Sequence, residues 1–492
     1  MAIRLTCIAF FISALTGYSQ LNNLWLFGYA NGSGAPLGGS RIDFISGSID
    51  TMLDPRQLNF NATNAVISDN AGQLLFATNG IEVINAQQLT MLNGGGLNPG
   101  QIATTWATRG LPISQGALII PVPSDSNSYY LFHMSAEFFG PTMSWIQPFN
   151  LFYSKINMTL DNGLGAVVQK NISAIHDTIT LGEMTAVKHA NGRDWWIVTH
   201  KFDSDQFLTV LVTPQGLTGP FRQAIGPNYV TGANGQVVFS QDGKRFARYD
   251  PTRGEDLDLF NFDRCTGLFS LVKHVSIPDS SGAGGVAFNR SGRFLYVTSI
   301  TQIYQFDLDD PDWDLNYDTV AVYDGFYSPS YPFATTFLAS YLAPDNKIYV
   351  TASNGVQAIA TIDYPDSLGM SCSVCQHCVA LPTVMAYTVP NYPNYNLGTD
   401  STSVCDTLLN IAFLPEFYEI SVFPNPATST IYIDCNSEYS IKIYNMLGYA
   451  VLIKPDITTD HALDISGLVP GFYIVEISVK GEYKKSVKIL KL

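Results

Sequence analysis

Charge is what this sequence has least of. Only 14% of its 492 residues are Asp, Glu, Lys or Arg, against about a quarter in an ordinary soluble domain. That scarcity argues against a helical cytosolic enzyme and for a β-rich exported chain. Positive charge is scarcer still: 26 Lys plus Arg face 41 Asp plus Glu, for a net charge of −15. An acidic surface speaks against nucleic acid and against docking on anionic lipid through a basic patch. Beyond the N-terminus no segment reaches the roughly eighteen consecutive apolar residues of a membrane-spanning helix. There is also no G-x-S-x-G, phosphate-binding loop, H-E-x-x-H or dinucleotide fingerprint, which removes the commonest locally encoded enzyme classes. Disorder is excluded in turn, because 46% hydrophobic residues supply a sizeable core.

The N-terminus supplies what the rest lacks. Arg4 precedes the apolar run "CIAFFISAL" (Cys7–Leu15), and "TGYSQ" follows with the small residues Gly17 and Ser19. This is the pattern of a secretory signal peptide, expected over 1–19. Cys7 lies at the front of the apolar run, so it is not a lipidation cysteine. The mature chain is expected to be exported, with no transmembrane segment.

From Leu21 to Cys405 one pattern recurs: an apolar strand, a turn rich in Asp, Asn, Ser and Gly, then a second strand rich in Val, Tyr, Phe and Thr. It is seen at 65–78, 117–133, 185–200, 236–250, 285–299 and 340–353. A third strand often follows, as in "DLDLFNFD" (Asp256–Asp263) and "QIYQFDLD" (Gln302–Asp309). Antiparallel strands repeating every fifty residues or so predict a β-propeller, since one blade cannot bury both of its faces alone. Six repeats are visible. The leading "NNLWLFG" and the trailing "VALPTVMAYTVPNYPNYNLG" predict a further blade closed jointly by the N- and C-terminal segments, giving about seven. The phrases "NNLWLFG", "FNFDRCTGLFS", "VAVYDGF" and "PNYPNYNLG" resemble a family of secreted propeller proteins from Bacteroidota. That resemblance supports the fold and transfers no ligand.

After Cys405 the text changes. A linker is expected over 406–420, and short strands then alternate with turns every eight to twelve residues over 421–492, which predicts a small Ig-like β-sandwich. Pro424 and Pro426 read as the entrance of its first strand, and Gly448 and Gly471 as turn positions. The segment is also neutral, with seven Lys against seven Asp plus Glu. The ordered motifs "FPNPAT" (Phe423–Thr428), "IYNMLG" (Ile443–Gly448) and "LDISGLVPGFYIVEI" (Leu463–Ile477) precede a Lys-rich last strand. Together they resemble the type A C-terminal sorting domain of the type IX secretion system. Pro424, Asn425, Pro426, Gly448, Leu468, Gly471, Tyr473, Lys485 and Lys488 carry the likeness. It implies export across the outer membrane of a Gram-negative, Bacteroidota-type bacterium. It also implies the secretion machinery and its sortase as partners, and a product held at the cell surface or released.

Residues with chemistry of their own are few. "CSVCQHC" sets Cys372, Cys375 and Cys378 at C-x₂-C-x₂-C spacing, which in a cytosolic protein suggests zinc or iron–sulfur. Three thiolates need a fourth ligand, however, and His377 is too near Cys378 to serve easily. In an oxidising compartment these cysteines, with Cys265 and Cys405, are disulfide candidates, and one of the five is left over unless Cys435 takes it. The acidic stretch "DLDDPDWDLNYD" (Asp307–Asp318) offers Asp307, Asp309, Asp312 and Asp314 to calcium. It lacks the glycine at the sixth position and the glutamate at the twelfth that a calcium loop uses, so a solvated inter-strand loop is the simpler reading and no cofactor is expected. His189 and His200 flank one hairpin without a nucleophile or carboxylate pair, and "FSQDGKRF" reads as an ordinary blade turn.

The sequence therefore favours a non-catalytic binding or adhesion module, taking a surface glycan or a protein. The alternative is a secreted carbohydrate-active hydrolase or lyase working at the propeller channel. Converging carboxylates, His or Arg at the channel mouth would favour the enzyme, and a merely polar or apolar plug the binder.

Overall fold

The computed structural model describes residues 20–492 except 32, 46–48, 141–144, 231–234, 255, 330–332, 386, 406–420, 435–437, 447, 458–461 and 480–482. The expected signal peptide (1–19), the expected linker (406–420) and Cys435 lie outside the described residues. Two compact units divide the chain, Met1–Leu408 and Leu409–Leu492.

In the first unit each of the six repeated hairpins leads a set of four antiparallel strands; four sets are separate sheets, and the first two are joined into one eight-stranded sheet by a parallel pairing of Ala166 with Leu92. The fifth blade shows the plan: Gln236–Phe239, Arg245–Asp250, Asp256–Asp263 and Leu268–Val275, each paired with the next. Burial falls from the axis outward. Trp195–His200 and Phe294–Ser299 are buried at every position, whereas Leu268–Val275 is mostly exposed. Strands covered on both faces read as continuous apolar runs rather than alternating ones. Trp195 and Ile197 join the core shared with the preceding blade, while Trp196 and Val198 pack with Phe207, Phe246 and Phe260 on the other side. Burying one such aromatic or aliphatic side chain is worth about 1.5–3 kcal/mol, and the aromatic stock is spent largely in these contacts. The hairpin turns follow from their sequence. At "QDGK" the Asp242 carboxylate accepts from the Lys244 amide at 3.0 Å, and Gly243 takes φ +71°, a conformation that glycine adopts without strain.

The remaining blade closes the ring. The N-terminal strands Leu24–Gly28, Gly39–Asp43 and Asp50–Leu53 form a three-stranded sheet. Its innermost place, beside Leu24–Gly28, is taken by the C-terminal strap 388–397, where Tyr392 meets Trp25 with ring centroids 6.0 Å apart. The strap forms no ladder, because Pro390 and Pro393 lack the N–H groups a ladder needs. Side chains hold it instead: Thr388 Oγ1 donates to Ala62 O at 2.7 Å and Asn394 Nδ2 to Gln241 O at 2.9 Å. The outermost strand of the preceding blade, Val374–Met385, leans on the same sheet, with Ser40 Oγ 2.7 Å from Thr383 Oγ1.

The second unit is a two-layer β-sandwich. Ser421–Phe423, Thr430–Asp434 and Ala462–Asp464 form one sheet, and Ala450–Ile457, Tyr439–Asn445, Gly471–Val479 and Tyr483–Lys491 the other. Alternation in "GFYIVEISV" turns Tyr473, Val475, Ile477 and Val479 inward, against Ile431, Ile433, Ile441 and Ile443. The prolines do not open the first strand as the sequence suggests. Pro424 and Pro426 follow a first short strand and form the turn into the second, while Asn425 between them reaches the last strand. Its Nδ2 donates to Lys488 O and its Oδ1 accepts from Leu490 N, both at 2.9 Å.

Candidate functional site

The propeller axis carries a cavity of about 600 Å³. Its walls come from the inner strands of four blades, the strap and residues 20–23. Residues that follow inner strands line it, among them Ser240, Gln241, Arg290 and Pro344, so it lies toward the end of the ring where those strands finish. The polar lining is nearly all carboxamide and hydroxyl, with Phe44, Phe288, Tyr341 and Tyr392 among the rings. Arg290 is the one charged residue in the lining, and its Nε donates to Asn346 Oδ1 at 2.9 Å.

Where the inner strands begin, three carboxamides cross the axis and hold backbone groups that no neighbouring strand pairs. Gln115 donates to Val237 O and accepts from Val237 N, both at 2.9 Å. Gln236 donates to Ser340 O at 2.8 Å and accepts from Ser340 N at 3.0 Å and Val286 N at 3.2 Å. Asn391 of the strap donates to Ala117 O and Met184 O and accepts from Gln115. Each amide presents the donor and acceptor that an exposed strand edge requires, so the three act as short cross-ties. The axis is plugged by neutral polar groups at this level.

At this same end, away from the cavity, lies a second cluster that sequence reasoning missed. Arg248 is fully buried, with Nε 2.9 Å from Glu183 Oε2 and its guanidinium 3.8 Å over the Tyr229 ring. Tyr229 donates to Asp258 Oδ2 at 2.8 Å, and His274 Nδ1 lies 2.9 Å from Asp258 Oδ1. Burial drives the Asp258 carboxyl and the Tyr229 phenol above their ordinary values. Arg248, Asp258 and Tyr229 have no exposed surface, and His274 is the member that reaches solvent. The ion pair of Arg248 with Glu183 and the bond of Tyr229 to Asp258 tie two blades together. The cluster's sequence signal was the alternation of charge in "RYD" and "DLD" inside otherwise apolar strands.

The sequence-predicted residues fall elsewhere. Cys265 is bonded to Cys405, across 140 residues, and Cys375 to Cys378. A bulge makes the second pair possible: Cys375 faces Thr361 and Val379 faces Ile359, so the residues between project out of register. Cys372, grouped above with the pairing candidates, forms no disulfide among the described residues. It is buried among Phe294, Ile348 and Ile362, and burial pushes its thiol up. Asp307 and Asp309 hold Arg293, and Asp314 holds Lys273 at 2.8 Å. The Asp312 amide is bound by the Asp310 carboxylate in a turn. Among the described residues no three His, Cys, Asp or Glu gather as a metal-binding group. His189 and His200 sit at opposite ends of their hairpin. His189 reaches Cys265 O, and His200 packs between Phe207 and Tyr229, its pKa pushed down to about 3 by burial.

In the second unit the motif residues hold turns and edges. Gly448, at φ +82°, donates to Asn445 O, and Leu468 donates to Ile465 O. Gly471 opens its strand, and Tyr473 OH donates to Val469 O at 2.8 Å. Lys485 lies opposite Ile477, and Lys488 Nζ stands 4.2 Å over the Phe472 ring.

Taken together, the units define a β-propeller followed by a small β-sandwich. Residues 421–491 of that sandwich match the family model of the secretion system C-terminal sorting domain, the tail read by type IX secretion. The protein is therefore secreted or displayed at the cell surface. No helix among the described residues is long and apolar enough to cross a membrane. No curated protein sequence matches the chain.

Among solved structures, it is similar to a protein from Lactobacillus plantarum at 13% identity and TM-score 0.45, covering 75% of this chain and 99% of that one. A putative 6-phosphogluconolactonase from Bacteroides fragilis aligns at 10% identity and TM-score 0.43, covering 75% and 98%. An oligogalacturonate lyase in complex with manganese aligns at 11% and 0.39, covering 70% and 86%. At such scores the propeller assignment stands on the strand order within the blades.

Proposed function

We propose that the chain is a binding or adhesion module of a Bacteroidota-type bacterium, carried outward by its sorting tail, and that the axial cavity is its ligand site. One observation carries this reading: the cavity lining combines carboxamides, hydroxyls and aromatic rings with a single cation and no carboxylate or histidine. Such a lining can hold a ligand and orient it, but it offers no pair of groups for acid–base or nucleophilic work. A volume of about 600 Å³ is within the usual range for small-molecule sites.

The signal peptide and the tail frame this role, with the secretion machinery and its sortase as the export partners. Two measurements test the reading. Removing residues 406–492 should leave the protein inside the cell envelope; normal export of the truncated chain overturns the sorting assignment. Incubating the full-length protein with a polysaccharide panel should give retention without new reducing ends or unsaturated products. Release of either product would establish the alternative, a hydrolase or lyase.

A further inference from the structure

The lining chemistry also indicates what the cavity takes. We infer that it receives the end of an uncharged saccharide, an inference that rests on the cavity being a ligand site. A carboxamide carries a donor and an acceptor side by side, which suits a pair of adjacent hydroxyls. Gln241 and Asn23 bring such groups to the wall. Both side chains are half-buried rather than sealed, so a ligand in the cavity can reach them.

The rings of Phe44, Tyr341 and Tyr392 supply apolar wall, which suits the C–H faces of a pyranose. Tyr392 is fixed by its own hydroxyl on Leu342 O at 2.9 Å, so little ordering is needed on binding. Charge argues against an acidic sugar. The chain carries a net charge of −15, which repels polyanions at long range, and Arg290 already donates to Asn346. A peptide would present backbone and charged termini that this neutral lining does not match.

Full-length protein is titrated calorimetrically with neutral hexasaccharides of glucose and mannose, with a galacturonate hexamer, and with a hexapeptide. A neutral hexasaccharide should bind, and Gln241→Ala should weaken it about fivefold, the loss of one hydrogen bond. Asn23→Ala should weaken it similarly, with the thermal midpoint of both variants unchanged. Binding of the galacturonate hexamer or the peptide alone overturns the saccharide class while leaving the binding reading intact. Neutral-sugar binding indifferent to both substitutions overturns the location, and no binding of any probe overturns the inference. Cleavage of a bound hexasaccharide fails the binding-only reading instead, so the two failures are told apart.

Discussion

The seam between the fourth and fifth blades and the axis of the ring are built from opposite chemistry. In the seam the blades are joined through buried charge, with Arg248, Glu183 and Asp258 all under 4% exposed. Along the axis neutral amides form the plug where the inner strands begin, and open space lies toward the end where they finish. Buried ions demand partners on every side, so they favour a sealed arrangement. Amides tolerate partial satisfaction by water or ligand, so they are compatible with a cavity. The ring thus separates the part that fixes blade geometry from the part that has room for a ligand.

That comparison breaks first at Arg248. Arg248→Met leaves Glu183 and Asp250 buried without their cation and should cost about 3–5 kcal/mol, read as a lowered denaturation midpoint. A loss below about 1 kcal/mol would mean the charged seam does not hold the blades. Gln236→Leu strips both hydrogen bonds from Ser340 and one from Val286, for an expected loss of about 2 kcal/mol. Equal losses at the two positions would erase the distinction between the charged seam and the neutral axis.

A pH titration sharpens it further. Burial pushes both His133 and His200 down to about 3, from an ordinary value of 6.5. The unfolded chain therefore binds more protons between those values. Stability from these groups is complete above pH 6.5 and falls as pH drops toward 3. Asp258, raised by burial, works the other way by taking up its proton first in the folded state. Denaturation midpoints at pH 7.5 and 5.0 should therefore differ, and His200→Phe, an aromatic in the Phe207–Tyr229 slot, should reduce the histidine-dependent difference, with His133 and His189, also lowered by burial, supplying the rest. An unaltered pH difference would mean that His200 is not neutral in the fold.

The smallest effect belongs to the tail. Asn425→Ala should cost about 1 kcal/mol in the sandwich, seen as faster exchange of the Leu490 amide with the propeller amides untouched. Protection of Leu490 unchanged from the parent would remove Asn425 as the tie between the turn and the last strand.

The six hairpins were legible because each is local: an Asp, Asn or Ser beside Gly between two apolar runs. The sorting motifs were legible because their residues are contiguous. The strap was only half legible. "VPNYPNYN" marked a closing segment, but the prolines hid that it lies at the axis without a ladder. The cross-ties could not be read at all. Gln115 and Gln236 bond to backbone at Val237 and Ser340, and backbone partners leave no residue-type pattern in the sequence. Cys265 and Cys405 were named as candidates without their pairing, since spacing alone does not fix connectivity.

The Cys265–Cys405 bond has a mechanical consequence. A pull on the chain beyond residue 405 reaches Cys405 and crosses by covalent bond to Cys265, in the turn between two strands of the fifth blade. Tension thereby bypasses the hydrogen bonds of the strap 388–397 and enters an antiparallel sheet from its turn. A protein towed from its C-terminus would transmit that force to the outer strands of the fifth blade and leave the strap unloaded.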